Sequence, residues 1–276
     1  MKNPIIGFVG GGNMATAIIR GLVTRGVEGE RLAVSDPSPE RRQALAALLG
    51  ADTGIGASNE AVADEADVLV LAVKPQVLPT VLAPLTPVIQ RRRPLVVSIA
   101  AGMRAEDIDR RLGGGLPVVR CMPNQPALVG EGMTVLFANE AAQGQRDSAD
   151  EILSAVGPTL WVEDETMIDA ATAISGSGPA YFFYLMELLI EAATDFGFSA
   201  AEARQLGVQT ARGASAVAEA EDEEPSVLRE RVTSPGGTTA AAFDVLEEAD
   251  VRAIFRRAFE AARRRAGELA DDAAAD

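Results

Sequence analysis

Residues 234–239 read Ser-Pro-Gly-Gly-Thr-Thr, between a helix-like ending at 228–232 and a helix-like start at 240–247. A Gly-Gly turn with Thr at a helix entry sets several backbone N–H groups and two hydroxyls on one concave surface. Such a surface suits a small anion, such as a carboxylate. A second anion site is written near the other end. Gly10-Gly11-Gly12-Asn13-Met14-Ala15 follows an apolar run at 5–9 and opens a helical pattern. This is G-x-G-x-x-A in the strand-to-helix context that a dinucleotide pyrophosphate requires. Gly10 makes the tight turn, Gly12 lets the backbone approach the pyrophosphate, and Ala15 allows close packing of helix on strand.

Other residues sit where such a cofactor would extend. The second strand ends Val34-Ser35-Asp36-Pro37-Ser38-Pro39-Glu40-Arg41-Arg42. An acid at this place bonds a ribose 2′-OH and favours NAD, whereas Ser and Arg favour the 2′-phosphate of NADP. Asp36 and the Arg41/Arg42 pair therefore point in opposite directions. Ala72-Val73-Lys74-Pro75 closes an apolar strand, and open α/β sheets bind ligands at that edge. Lys74 is either a compact charge kept for the cofactor or an ordinary surface lysine. Ser98-Ile-Ala100-Ala101-Gly102 ends the next strand with small residues that a flat ring can approach. Arg120-Cys-Met-Pro-Asn124 ends another, and Ser175-Gly-Ser-Gly-Pro179 reads as a capped helix entry.

What is absent narrows the chemistry. The sequence has no His, so the commonest general acid/base and every Ser-His-Asp triad are excluded. Cys121 is the only Cys, which excludes an intrachain disulfide and a Cys-cluster metal site; no metal is expected. A reduced cytoplasm fits this usage. No signal peptide and no apolar run of about 18 residues is recognisable, so no membrane partner is expected. A net charge of −15 speaks against nucleic acid. Arg so outnumbers Lys that only Lys2 and Lys74 occur. Two readings fit this acidic, Arg-rich composition: GC-rich codon usage, or a cytoplasm high in salt where screening tames self-repulsion.

The elements that must position these residues fall into two groups. Strand-like and helix-like segments alternate through residue 164. The run at 68–73, Val-Leu-Val-Leu-Ala-Val, implies a strand buried on both faces. The pattern predicts an α/β fold, a doubly wound Rossmann sheet over 1–164. Residues 77–90 read as a helix broken by Pro79, Pro84 and Pro87. Residues 165–276 read as all-α. Residues 179–196 are apolar almost all round, which implies burial against a second subunit. The tail 271–276 reads as a frayed end.

Taken together, these motifs resemble the pyrroline-5-carboxylate reductase family, and they occur in that family's order over nearly the whole chain. The resemblance rests on 10–15, on Arg120-Cys-Met-Pro-Asn-Gln-Pro-Ala127, on Ala173-Ile-Ser-Gly-Ser-Gly-Pro-Ala-Tyr181 and on Val232–Thr239. It implies reduction of 1-pyrroline-5-carboxylate to L-proline by NADPH or NADH, the last step of proline biosynthesis. It implies an intertwined dimer, often assembled into decamers, with the active site where halves of different subunits meet. By motif, the cofactor residues are Val9, Gly10, Gly11, Gly12, Asn13, Met14, Ser35, Asp36, Asn59, Ala72, Val73, Lys74, Pro75, Ala100 and Ala101. The substrate residues are Glu165, Ser234, Gly236, Gly237, Thr238 and Thr239, with Thr238 and Thr239 as the catalytic pair. The substrate carboxylate would rest on the N–H groups of Gly236, Gly237 and Thr238. The chain departs from the family's habit at Gln125, where Thr is common, and at Asp36, where a small or neutral residue is common. Two other readings share the motifs in part: a different imine reductase or β-hydroxyacid dehydrogenase, and a non-catalytic nucleotide-binding protein. The hydroxyacid enzymes commonly use a lysine in the helical half, and no lysine follows Lys74 here.

Overall fold

The computed structural model describes residues 3–50 and 53–275. The chain runs β1 (Ile6–Val9), α1 (Asn13–Thr24), β2 (Leu32–Ser35), α2 (Pro39–Leu49), β3 (Gly54–Gly56), α3 (Asn59–Glu65), β4 (Val68–Leu71), α4 (Leu78–Arg92), β5 (Leu95–Ser98), α5 (Ala105–Arg111) and β6 (Val118–Met122). It continues with β7 (Thr134–Ala138), α6 (Arg146–Leu153), β8 (Thr159–Trp161) and α7 (Thr166–Ala171). The strands form one sheet in the order β3-β2-β1-β4-β5-β6-β7-β8. Every neighbouring pair is parallel except β6–β7.

β1, β2, β4 and β5 are buried at every residue, because helices cover both faces of the sheet. One core layer joins α1 and α6 to the sheet through Ile18, Ile19, Leu22 and Ile152. The opposite layer joins α3, α4 and α5 through Val62, Leu82, Leu85, Ile89 and Ile108. The strand order reverses between β1 and β4. That switch point opens a crevice at the carboxyl ends of the strands, where doubly wound sheets take ligands.

The chain divides into two compact units, Met1–Gly176 with Ala262–Asp276, and Ser177–Ala261. The second unit is helical: α8 (Gly178–Asp195), α9 (Ala200–Ala220), α10 (Pro225–Arg231), α11 (Thr238–Glu248) and the first part of α12 (Val251–Ala275). A capping box starts α9, with Ser199 accepting from the Glu202 N–H and Glu202 accepting from the Ser199 N–H. Phe182, Phe183, Tyr184, Leu185, Leu188 and Leu189 of α8 are all exposed. Within one chain this helix lacks the cover its composition calls for.

Three features differ from the pattern in the sequence. α4 is continuous through Pro84 and Pro87. Both prolines are exposed, so the carbonyls they leave unbonded face water, while Leu82, Leu85, Val88 and Ile89 anchor the buried side. β3 and α3 are too short, and β3 too glycine-rich, to show a period. The acidic tail is not frayed at 271–273. It continues α12, and Asp271 pairs with Arg104. Asp276 lies outside the described residues.

Candidate active site

The fingerprint loop is built by contacts at backbone level. Gly10 has φ +98°, and a Cβ there would lie 2.7 Å from the Ala72 carbonyl oxygen. Its N–H donates to the Ser35 carbonyl at 2.8 Å, which ties the loop to the end of β2. Gly12 caps α1, and a Cβ there would meet only Arg41 Nη1, at 3.4 Å. A side chain would fill this open cradle over the helix N-terminus; without one, a pyrophosphate can reach the amides. Asn13 and Met14 begin α1, and Val9 is buried at the strand end. The residues present fit a dinucleotide.

Two residues expected at the cofactor make hydrogen bonds within the chain. Ser35 is fully buried, with its hydroxyl donating to the Phe8 carbonyl at 3.3 Å, so its hydroxyl is aimed into the sheet. The Asp36 carboxylate is also committed. Oδ2 accepts the Gly11 N–H at 2.9 Å and Oδ1 accepts the Ser38 N–H at 2.9 Å. Asp36 thus braces the glycine loop against the entry to α2. Arg42 donates to the carbonyls of Asp36 and Pro37 at 2.7 and 3.0 Å. The Arg41 side chain has no hydrogen-bond or ion-pair partner among the described residues. It lines a 590 Å³ cavity between α1 and α2 together with Gly11, Asn13, Thr16 and Arg20.

The rest of the crevice follows the strand ends. Asn59 is the first residue of α3, half-buried and capped by Ser58. Ala72 and Val73 are half-buried after β4, and Lys74 is exposed at the start of the turn Pro75–Val77. Ala100 is buried and Ala101 exposed after β5.

Glu165 belongs to the same unit as the sheet. Its Oε1 accepts the Ala105 N–H at 2.8 Å and pairs with Arg120 Nη1 at 3.1 Å. Arg120, 3% exposed, also meets Asp169 at 2.8 Å. One guanidinium on β6 therefore holds two carboxylates at the start of α7. Asp169 carried no signal in the sequence, because its partner lies 49 residues away. Cys121, next to Arg120, is a buried free thiol whose pKa burial pushes far up, so it stays protonated and unreactive.

In the second unit, the run 234–239 folds as a turn closing onto α11. The Gly237 N–H donates to the Ser234 carbonyl at 3.0 Å, and Gly236 has φ +65°. Pro and Gly at the two central positions are the residues of a type II turn. The Gly237 amide is therefore engaged within the turn. The free donors are the first-turn amides of α11, at Thr238, Thr239 and Ala240, since the helix has no side-chain cap. Thr238 is exposed and Thr239 half-buried, and neither hydroxyl is engaged among the described residues. These amides and hydroxyls form an uncapped donor set aligned with the helix dipole.

A dinucleotide crevice on a doubly wound sheet, and a helical unit with an uncapped helix entry after a Pro-Gly turn, define a two-part nicotinamide-dependent oxidoreductase. Residues 165–269 match a model described as pyrroline-5-carboxylate reductase dimerisation, and residues 5–102 one described as NADP oxidoreductase, coenzyme F420-dependent. A pyrroline-5-carboxylate reductase of Pseudomonas aeruginosa is 45% identical over 98% of each chain. The solved structure of one from Coxiella burnetii superposes with a TM-score of 0.92, at 40% identity, covering 97% of this chain and 99% of that one. A Plasmodium falciparum structure with NADP bound gives 0.84, at 29% identity over 98% and 99%. The chain belongs to the pyrroline-5-carboxylate reductase family.

Proposed function

We propose that the chain reduces 1-pyrroline-5-carboxylate to L-proline, with NADPH preferred over NADH. The observation that carries this is the uncapped turn at 234–239, whose free amides and hydroxyls match the carboxylate of a small imino acid. When bound, the reduced nicotinamide supplies a hydride to the C=N carbon. The amides of Thr238, Thr239 and Ala240 hold the ring carboxylate, with Ser234, Gly236 and Gly237 shaping the turn. The Thr239 hydroxyl donates to that carboxylate or lies against the ring nitrogen, and Thr238 supports it. The imine enters already protonated, so the product nitrogen keeps that proton and no histidine is needed. Glu165 fixes Ala105 and Arg120 and adds negative charge that favours the cation.

The preference for NADPH is supported by which charges are engaged among the described residues. Both oxygens of Asp36 already serve backbone N–H groups, whereas the Arg41 side chain has no partner among the described residues and suits a 2′-phosphate. Val9–Met14, Asn59, Ala72–Pro75 and Ala100–Ala101 complete the cofactor set. The exposed apolar face of α8 supports a dimer as the working unit, and the lone buried thiol supports a reducing cytoplasm. NADPH oxidation assayed with pyrroline-5-carboxylate, with 3-hydroxyacids as controls, tests the reading. Turnover of the imine alone supports it; turnover of the hydroxyacids, or of neither, contradicts it.

A further inference from the structure

The end of α12 returns to the sheet-bearing unit and lies against the loop that follows β5. Ala270 is fully buried there and Ala266 nearly so, while Ala273 joins the core layer shared with α4 and α5. Gly102, at φ +75°, has its missing Cβ position 3.4 Å from the Leu269 carbonyl oxygen, so the helix approaches the bare backbone. Arg104 Nη2 meets Asp271 Oδ1 at 2.5 Å, and Arg111 Nη2 donates to the Ala273 carbonyl at 3.4 Å. A cleft of 300 Å³ remains between this helix end and the loops after β4 and β5, lined by Pro75, Gln76, Pro79, Ala101, Met103 and Asp272.

The loop at 99–105 is thus fixed from three directions. Ser98 Oγ accepts the Ala100 N–H at 3.3 Å at its start. Glu165 accepts the Ala105 N–H at its end. The C-terminal helix covers its back. In a doubly wound sheet the adenosine lies toward β2, so the nicotinamide extends from the switch point over β4 and β5. Ala100 and Ala101 then form its seat. Ion pairs as exposed as Arg104–Asp271 contribute little to stability. The pair joins Asp271 of α12 to Arg104, two residues after Gly102.

We propose that residues 266–273 act as a positioning strap, holding the loop after β5 in the conformation that seats the nicotinamide ring. The proposal rests on the cofactor reading above but not on the identity of the substrate. Binding to the full-length protein tests it, with NADPH compared against adenosine 2′,5′-bisphosphate, which carries only the adenosine half. Ala270→Phe wedges the strap away and is expected to weaken NADPH about tenfold, with the bisphosphate changed less than about twofold. Asp271→Ala is expected to weaken NADPH about threefold, and Asp271→Glu to restore it. Because Asp271 is on the surface, this pair decides the matter even where Ala270→Phe fails to fold. Equal weakening of both ligands, or no change in NADPH, overturns the strap. A wild type that binds NADPH but does not turn over pyrroline-5-carboxylate overturns the substrate reading alone, whereas one that binds neither ligand overturns both.

Discussion

At the scale of single residues, the account turns on which polar groups are free and which are engaged. Thr239 is free, and Thr239→Ala is expected to lower kcat/KM for pyrroline-5-carboxylate by about 10²-fold, roughly 2.7 kcal/mol of transition-state binding. Steady-state kinetics check this, and an unchanged value removes the hydroxyl from the mechanism. Gly236 holds a left-handed φ, so Gly236→Val distorts the turn. Its expected signature is loss of imino-acid binding with dinucleotide binding intact. Arg41→Ala is expected to lower the NADPH-to-NADH ratio of kcat/KM by at least about tenfold, in the range of one charge-assisted contact. The sequence makes the residue types at these places legible but not their commitments. The acid at Asp36 is legible, but not that its oxygens accept the Gly11 and Ser38 amides. The glycine pair is legible, but not that the Gly237 N–H donates to the Ser234 carbonyl. Short-range hydrogen bonds of this kind depend on backbone angles that residue identity only biases.

At the scale of elements, strands covered on both faces were the most legible, because burial forces continuous apolar runs such as 68–71. Elements whose character depends on distant partners were the least legible. α4 tolerates two internal prolines because they face water, which a linear pattern does not reveal. α7 is placed by Arg120, which holds Glu165 and Asp169 from within the sheet. Arg120→Ala leaves two largely buried carboxylates without their cation, and a loss of about 3–5 kcal/mol is expected in urea unfolding. The capping box of α9 offers a milder test. Ser199→Ala is expected to cost about 1 kcal/mol. Hydrogen bonds from the Ser199 hydroxyl and N–H hold the Glu202 carboxyl below its ordinary value of 4.5. That contribution is therefore present above the ordinary value and fades as pH falls through the lowered one, so the Ser199→Ala difference should shrink in acid.

At the scale of the whole molecule, a chain without histidine comprises a sheet-bearing unit with a dinucleotide crevice and a helical unit. The sequence changes period after residue 164, whereas the compact units divide between Gly176 and Ser177. The return of α12 to the sheet was not legible, since its apolar contacts there are alanines that carry no pattern. The exposed apolar face of α8 predicts that the chain sediments as a multiple of 28.8 kDa. Phe182→Glu with Leu185→Glu is expected to reduce it to a monomer, as light scattering would show. The most direct test of the central claim is a crystal of the protein with L-proline and NADP. The account predicts the proline carboxylate on the amides of Thr238, Thr239 and Ala240. A carboxylate bound elsewhere, with that helix entry empty, would contradict it.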